Sequence, residues 1–279
     1  MDERPSRTAE LVCLVRATDQ ARPVAERILD DPLAERFLGN VSKAALSTLK
    51  ASGRLGERAI ELAPGLLTYV LCRHRFIDEH LTRALDQGIR QVVLLGAGYD
   101  TRPWRLARPG VQFFEVDHPA TALRKATLAD SLEPVARTSV QVDFETDDLG
   151  QALREAGLRP EPTFFVWEGV SMYLTRAAVK QTLATVLSLA PSVELAMDLW
   201  FLLDSQDRSA TLHRSGAGLL HLLGEPVTFG LHPEDAPDFL RRCGLDCLDL
   251  ATPTALEARY VHDERRVYPA CYAVHARGR

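Results

Sequence analysis

Apolar residues in the first 90 positions recur at helical spacing with no clear strand. Leu11, Leu14 and Val15 form one such set and Val24, Ile28 and Leu29 another, before Asp30-Asp31-Pro32 reads as a stop. A longer helix is expected after Pro64. Its apolar positions Leu67, Val70, Leu71, Ile77, Leu81 and Leu85 fit a 3.6-residue period, and Gly88 is placed to end it. Arg73 and Arg75 lie two residues apart on this helix, so they point about 200° apart and only one can face a ligand.

From residue 91 the pattern changes to short apolar runs separated by helical stretches. Val92 to Leu95, Val111 to Val116, Ser139 to Val142, Phe164 to Trp167 and Val193 to Leu199 are the expected strands. Runs of this kind suit strands buried on both faces, and their alternation with helices implies a parallel, doubly wound α/β sheet. Residues 202–230 lose this regularity and are expected to form a lid after the fifth strand, reaching to about residue 232. Pro233 to Cys243 reads as a helix, and Leu245 to Leu250 and Tyr268 to His275 as the last strands. The expected organisation is a helical cap over 1–90 and a sheet domain over 91–279.

Composition narrows the class. The 279 residues are 46% hydrophobic and 25% charged, with a net charge of −5, an ordinary globular profile that does not favour binding to a nucleic-acid backbone. No run approaches the roughly 20 apolar residues that span a bilayer. The MDERPSR start does not read as a secretory signal, so a cytoplasmic chain is expected. The five cysteines are scattered; Cys243 and Cys247 have no second Cys or His pair nearby in sequence, and no metal site is expected.

Chemistry concentrates in VVLLGAGYDTRPWRL (92–106) and FFEVDHP (113–119). In an open parallel sheet the ligand lies beyond the carboxyl ends of the strands, and Gly96, Ala97 and Gly98 form the turn that lets backbone approach it. Asp117, 21 residues after Gly96, is placed to accept from both ribose hydroxyls of an adenosine-containing ligand. A dinucleotide fingerprint would have a third glycine where Thr101 stands, and Asp100 puts negative charge where a pyrophosphate would lie. No tyrosine is followed by lysine four residues on, as a short-chain dehydrogenase would require. S-adenosylmethionine, which has no phosphate and carries a sulfonium and an ammonium, fits better. Asp143 and Phe144 then suit its adenine and Glu168 its ammonium.

Together, RATDQARPVAERILDDPLAERF, CRHRFIDEHL, GAGYDTR, EVDHP, VDF and EGVSMYL resemble the leucine carboxyl methyltransferase family, particularly its bacterial branch of tetracenomycin-type polyketide O-methyltransferases. The resemblance covers most of the chain. It implies a Rossmann-like class I methyltransferase fold of seven strands, closed by a hairpin, with an N-terminal helical cap. It implies that Arg73 pairs with the methionine carboxylate of S-adenosylmethionine, Gly96 contacts it through backbone, Asp117 binds ribose, Asp143 and Phe144 bind adenine, and Glu168 holds the ammonium. Arg16 stands where the family has a second basic residue near that carboxylate; a surface cation is the alternative. Residues 204–230 match nothing in the family members that methylate a protein carboxyl terminus, so a small secondary metabolite is the expected acceptor.

Tyr173, Met172, Trp200 and His213 are placed to line an acceptor pocket, with core packing as the alternative for the aromatics. No catalytic base is assigned; His118, His213 and His221 read equally as surface or capping imidazoles. Arg102 and Arg105 are expected to pair with Asp100 or Asp117. A nicotinamide oxidoreductase, a protein carboxyl methyltransferase and a non-catalytic cofactor-binding module remain alternatives.

Overall fold

In the computed structural model, residues 6–52, 65–144, 146–201 and 227–279 are described. Expected strands at 92–95 and 164–167 are found as β1 (Gln91–Leu95) and β4 (Thr163–Trp167), every residue of both being buried. β2 (Gln112–Asp117), β3 (Arg137–Gln141), β5 (Val193–Trp200), β6 (Leu245–Ala251) and β7 (Cys271–Gly278) complete one seven-stranded sheet in the order β3-β2-β1-β4-β5-β7-β6. The first five strands are parallel, and β7 runs antiparallel between β5 and β6. This is a Rossmann-like sheet with an antiparallel edge.

The helices are α1 (Arg7–Asp19), α2 (Asn40–Ser52), α3 (Leu66–Asp86), the single turn α4 (Arg102–Arg105), α5 (Pro119–Ala129), α6 (Leu149–Glu155), α7 (Arg176–Leu189), α8 (Ala236–Arg242) and α9 (Pro253–Tyr260). Ser6, Asp148, Thr175 and Thr252 cap α1, α6, α7 and α9 by accepting first-turn backbone N–H bonds. Apolar clusters cover both faces of the sheet. One joins α3 (Phe76, Ile77, Leu81) to Val92, Phe164 and Trp200; the other joins α6, α7 and α8 to Val93, Phe165 and Leu195. A third, smaller cluster gathers α1 residues Cys13 and Ala17 with Phe37 and Tyr99.

Two expectations need correction. The last strand begins at Cys271 rather than Tyr268, because Tyr268 and Ala270 pack into the α3-side cluster ahead of the ladder with β5. The closing pair is interrupted by helix α9, whose only fully buried residue is Leu256. Its weak apolar periodicity explains why the sequence does not announce it.

Far from the glycine turn, α3 is tied to the antiparallel edge by a histidine pair. The His80 ring stacks on His275 with centroids 4.2 Å apart. Arg83 Nη1 lies 3.1 Å from His80 Nδ1 and so donates to it, leaving Nε2–H to donate to Asp249 at 3.2 Å. Burial, then the neighbouring His275, push the His80 pKa down to about 4. Folding therefore favours neutral His80, and between its unfolded pKa near ~6.5 and about 4 the unfolded chain binds more protons. Stability must fall as pH drops through that window, with His74 acting in the same direction. Urea midpoints are expected to be lower at pH 5 than at pH 7.5, with a smaller difference in His80→Gln. Equal midpoints in the wild-type chain contradict this.

Candidate functional site

Strand register places the chemistry. Leu95 pairs with Val116 on one side and Trp167 on the other, and Trp167 pairs with Met197. The residues that follow, Asp117, Gly96, Glu168 and Asp198, therefore form one row across β2, β1, β4 and β5. Gly96 has φ +70° and Gly98 φ +46°, backbone that L side chains rarely adopt. A Cβ on Gly96 would stand 2.2 Å from Val170 Cγ2, so the Val170 side chain lies directly over this α-carbon. The N–H groups of Gly96 and Ala97 both donate to Val116 O at 2.9 Å, fastening the turn to β2. Gly98 N–H donates to Asp117 Oδ2, and His118 N–H to Oδ1 at 2.7 Å. Burial raises the Asp117 pKa against these two donors.

Beside this row lies a buried ionic network. Arg102, fully buried, donates from Nε to Asp78 at 2.6 Å and from Nη1 to Asp100 and Glu168 at 2.6 and 2.8 Å. Arg73 donates from Nε to Glu168 at 3.0 Å and from Nη1 to Asp198 at 2.8 Å. His74 Nδ1 contacts Glu168, and Arg105 bonds Asp78 at 2.7 Å and His74 Nε2 at 3.0 Å. Arg105 also reaches Asp31 at 3.5 Å, and Asp31 pairs with Arg16 at 2.6 Å. α3 supplies Arg73, His74 and Asp78 from one face, while Arg75 points away to an exposed pair with Glu79. This is the divergence that helical spacing requires.

Burial opposes charge on every member, and the partners overcome it at most of them. Glu168 is held well below the usual carboxylate range because His74, Arg102 and Arg73 outweigh its burial. Asp78 and Asp100 are lowered likewise, chiefly by Arg105 and Arg102 respectively. Burial and then Arg102 lower the His74 pKa, so the ring is neutral. At Asp198 burial wins and raises the pKa. Four guanidiniums face five carboxylates, one negative charge in excess.

The structure thus gathers Gly96, Ala97, Gly98, Asp117, Glu168 and Arg73. Asp143 lies two residues beyond β3, opening a turn in which its N–H donates to Asp147 at 2.9 Å, and Phe144 packs against the sheet's second cluster. Arg16 is not a surface cation. It is 2% exposed and donates to Tyr99 O at 2.6 Å, bracing the glycine turn. Asp100 is not a free anion either, since Arg102 neutralises it, so its charge is no argument against a pyrophosphate. Arg105 pairs with Asp78 rather than Asp100 or Asp117. Met172 and Trp200 are buried in the α3-side cluster, with Tyr173 packed on it. His118 caps α5 through Nδ1, which accepts from Ala120 N–H. His213, His221 and most of the expected lid lie outside the described residues.

Sequence reasoning missed Asp78, His74 and Asp198; it paired Arg102 with Asp100 or Asp117 but did not foresee its bonds to Asp78 and Glu168. For Asp198 a signal existed: an acid set between Met197 and Leu199 in the apolar run of β5 must find buried partners.

A profile of the family described as Leucine carboxyl methyltransferase matches residues 9–187. The chain belongs to the leucine carboxyl methyltransferase family. A relative from Parafrankia sp. (strain EAN1pec) is 38% identical over 199 residues, 69% of this chain and 62% of the relative, so the chain spans less than two thirds of that protein's length. One from Frankia alni is 39% identical over 207 residues, 70% of each. Both are named as candidate S-adenosyl-L-methionine-dependent methyltransferases. The crystal structure of a DUF574-family protein from Streptomyces avermitilis shares the fold at a TM-score of 0.63 and 16% identity, covering 99% of this chain and 98% of that one.

Within this family member, removing one partner of the buried network strands the others. Arg102→Met leaves Asp78, Asp100 and Glu168 without their shared cation and is expected to cost roughly 3–5 kcal/mol of stability. Arg75→Met, at an exposed pair, is expected to cost less than about 1 kcal/mol. Urea unfolding of the two variants checks the contrast; equal losses contradict it.

Proposed function

We propose that this family member is an S-adenosylmethionine-dependent methyltransferase acting on an oxygen atom of a small molecule, an acceptor of the polyketide or related secondary-metabolite class. The carrying observation is the Arg73–Glu168 ion pair at 3.0 Å, set at the strand ends beside Gly96 and Asp117. An amino-acid end group brings a carboxylate and an ammonium together. That zwitterion fits between these two side chains, its carboxylate accepting from Arg73 and its ammonium donating to Glu168. The network's excess negative charge suits a ligand that also carries a sulfonium, so the residues present fit the group.

On this reading Asp117 accepts from the ribose hydroxyls, Asp143 from the adenine amino group, and Phe144 flanks the adenine. When bound, the cofactor supplies a methyl carbon already activated by a positively charged sulfur. The chain's own task is alignment and exclusion of water. Met172, Tyr173 and Trp200 suit the acceptor side by position. Neither His118, which caps α5, nor His74, held by Glu168 and Arg105, is available as a base. An acceptor that is ionised near neutral pH, such as a carboxylate or acidic phenol, therefore suits the described residues best.

No helix among the described residues is long and apolar enough to cross a membrane. A cytoplasmic location and a small-molecule rather than nucleic-acid partner belong to the proposal, supported for the latter by the net charge of −5.

Isothermal titration with S-adenosylmethionine tests the cofactor assignment. The wild-type chain is expected to bind it, and Asp117→Ala to weaken binding at least ~10-fold, the loss of about 1.4 kcal/mol. No binding by the wild type overturns the assignment. Mass spectrometry across aromatic acids, polyketides and peptides tests the acceptor class: methylated small molecules are expected, and product on peptides alone contradicts the proposal.

A further inference from the structure

Asp198 is the one acid of the row that no sequence feature assigned, and its contacts are unusual. It is fully buried in the middle of β5, where an ionised carboxylate is expensive to keep. Oδ1 accepts from Gly169 N–H at 2.6 Å, and Oδ2 accepts from Arg73 Nη1 at 2.8 Å and from the Tyr69 hydroxyl at 3.3 Å. Gly169 directly follows Glu168, and Tyr69 precedes Arg73 by one turn on the same face of α3. One carboxylate thus holds both the guanidinium from α3 and the backbone that presents Glu168 from β4.

We propose that Asp198 is a positioning residue for the amino-acid end of the cofactor: it fixes the spacing between Arg73 and Glu168 so that a carboxylate and an ammonium on one carbon fit between them. The inference rests on the cofactor reading above. It also explains why the buried acid stands in β5: an apolar residue of similar size would avoid the desolvation cost but would leave Nη1 of Arg73 and the Gly169 N–H unheld. Nothing in this role touches the adenosine end, which lies along the row towards Asp117.

The role separates two ligands that share the adenosine and the thioether. S-adenosylhomocysteine carries the amino-acid end and 5′-methylthioadenosine does not. Titration calorimetry of both with wild type and Asp198→Asn tests the inference, with thermal melting as a check on folding. The variant is expected to bind S-adenosylhomocysteine at least ~10-fold more weakly, about 1.4 kcal/mol, and 5′-methylthioadenosine within about twofold of wild type. Equal weakening of both, or no change in either, overturns the role. If Asp198→Asn does not fold, Tyr69→Phe leaves the carboxylate in place and removes the hydroxyl's 3.3 Å bond to Asp198 together with its 3.1 Å bond to Tyr272 O. It is expected to weaken S-adenosylhomocysteine roughly threefold and to spare 5′-methylthioadenosine; equal effects on the two overturn the inference. A wild-type chain that binds neither nucleoside overturns the cofactor reading and this inference with it, whereas wild-type binding with no selective loss overturns the positioning role alone.

Discussion

The interaction on which the site depends is the guanidinium of Arg102 bonded at once to Asp78, Asp100 and Glu168. It joins the long helix α3, the glycine turn after β1 and the end of β4. Withdrawing a charge from water costs several kcal/mol, so a fully buried arginine persists only where its donors meet charged acceptors. Here they do, and the same carboxylates are shared by Arg105, Arg73 and His74. The result is a buried charged layer between α1 and α3 and the strand ends, built where a doubly wound sheet binds its ligand.

Such a layer is a poor way to gain stability, because apolar residues of similar volume often do as well or better. What it provides is a fixed arrangement of charge. Register brings Asp117, Gly96, Glu168 and Asp198 into one row, and the network decides which of these acids are already neutralised. Asp100 is spent on Arg102, while Glu168 and Asp198 share their cations and leave one negative charge over. On the proposed reading, that residual charge, next to the Arg73–Glu168 pair, suits a cationic, zwitterionic ligand.

Much of this was legible in the sequence. Apolar runs buried on both faces located β1, β4 and β5, and the strand-glycine-acid spacing located Gly96 and Asp117, because local pattern decides both. The 200° divergence of Arg73 and Arg75 likewise follows from helix geometry alone. What was not legible depends on distance in the chain. Arg16 can be read as a surface cation and Arg102 as a partner of Asp100 or Asp117 until tertiary contacts bring Asp31 to the one and Asp78 and Glu168 to the other, and α9 has too weak a periodicity to stand out. Asp100 misled, since a sequence shows a charge but not the arginine that cancels it. Asp198 was hidden inside a strand that continues two residues beyond it.

The most direct test of the account is a crystal structure with S-adenosylhomocysteine bound. The amino-acid group is predicted to sit between Arg73 and Glu168, its carboxylate on the guanidinium and its ammonium on Glu168, with the direct 3.0 Å contact between the two side chains opened and Arg102 still bonded to Glu168. A complex in which the Arg73–Glu168 pair stays closed and the ligand's amino-acid end lies elsewhere would contradict it.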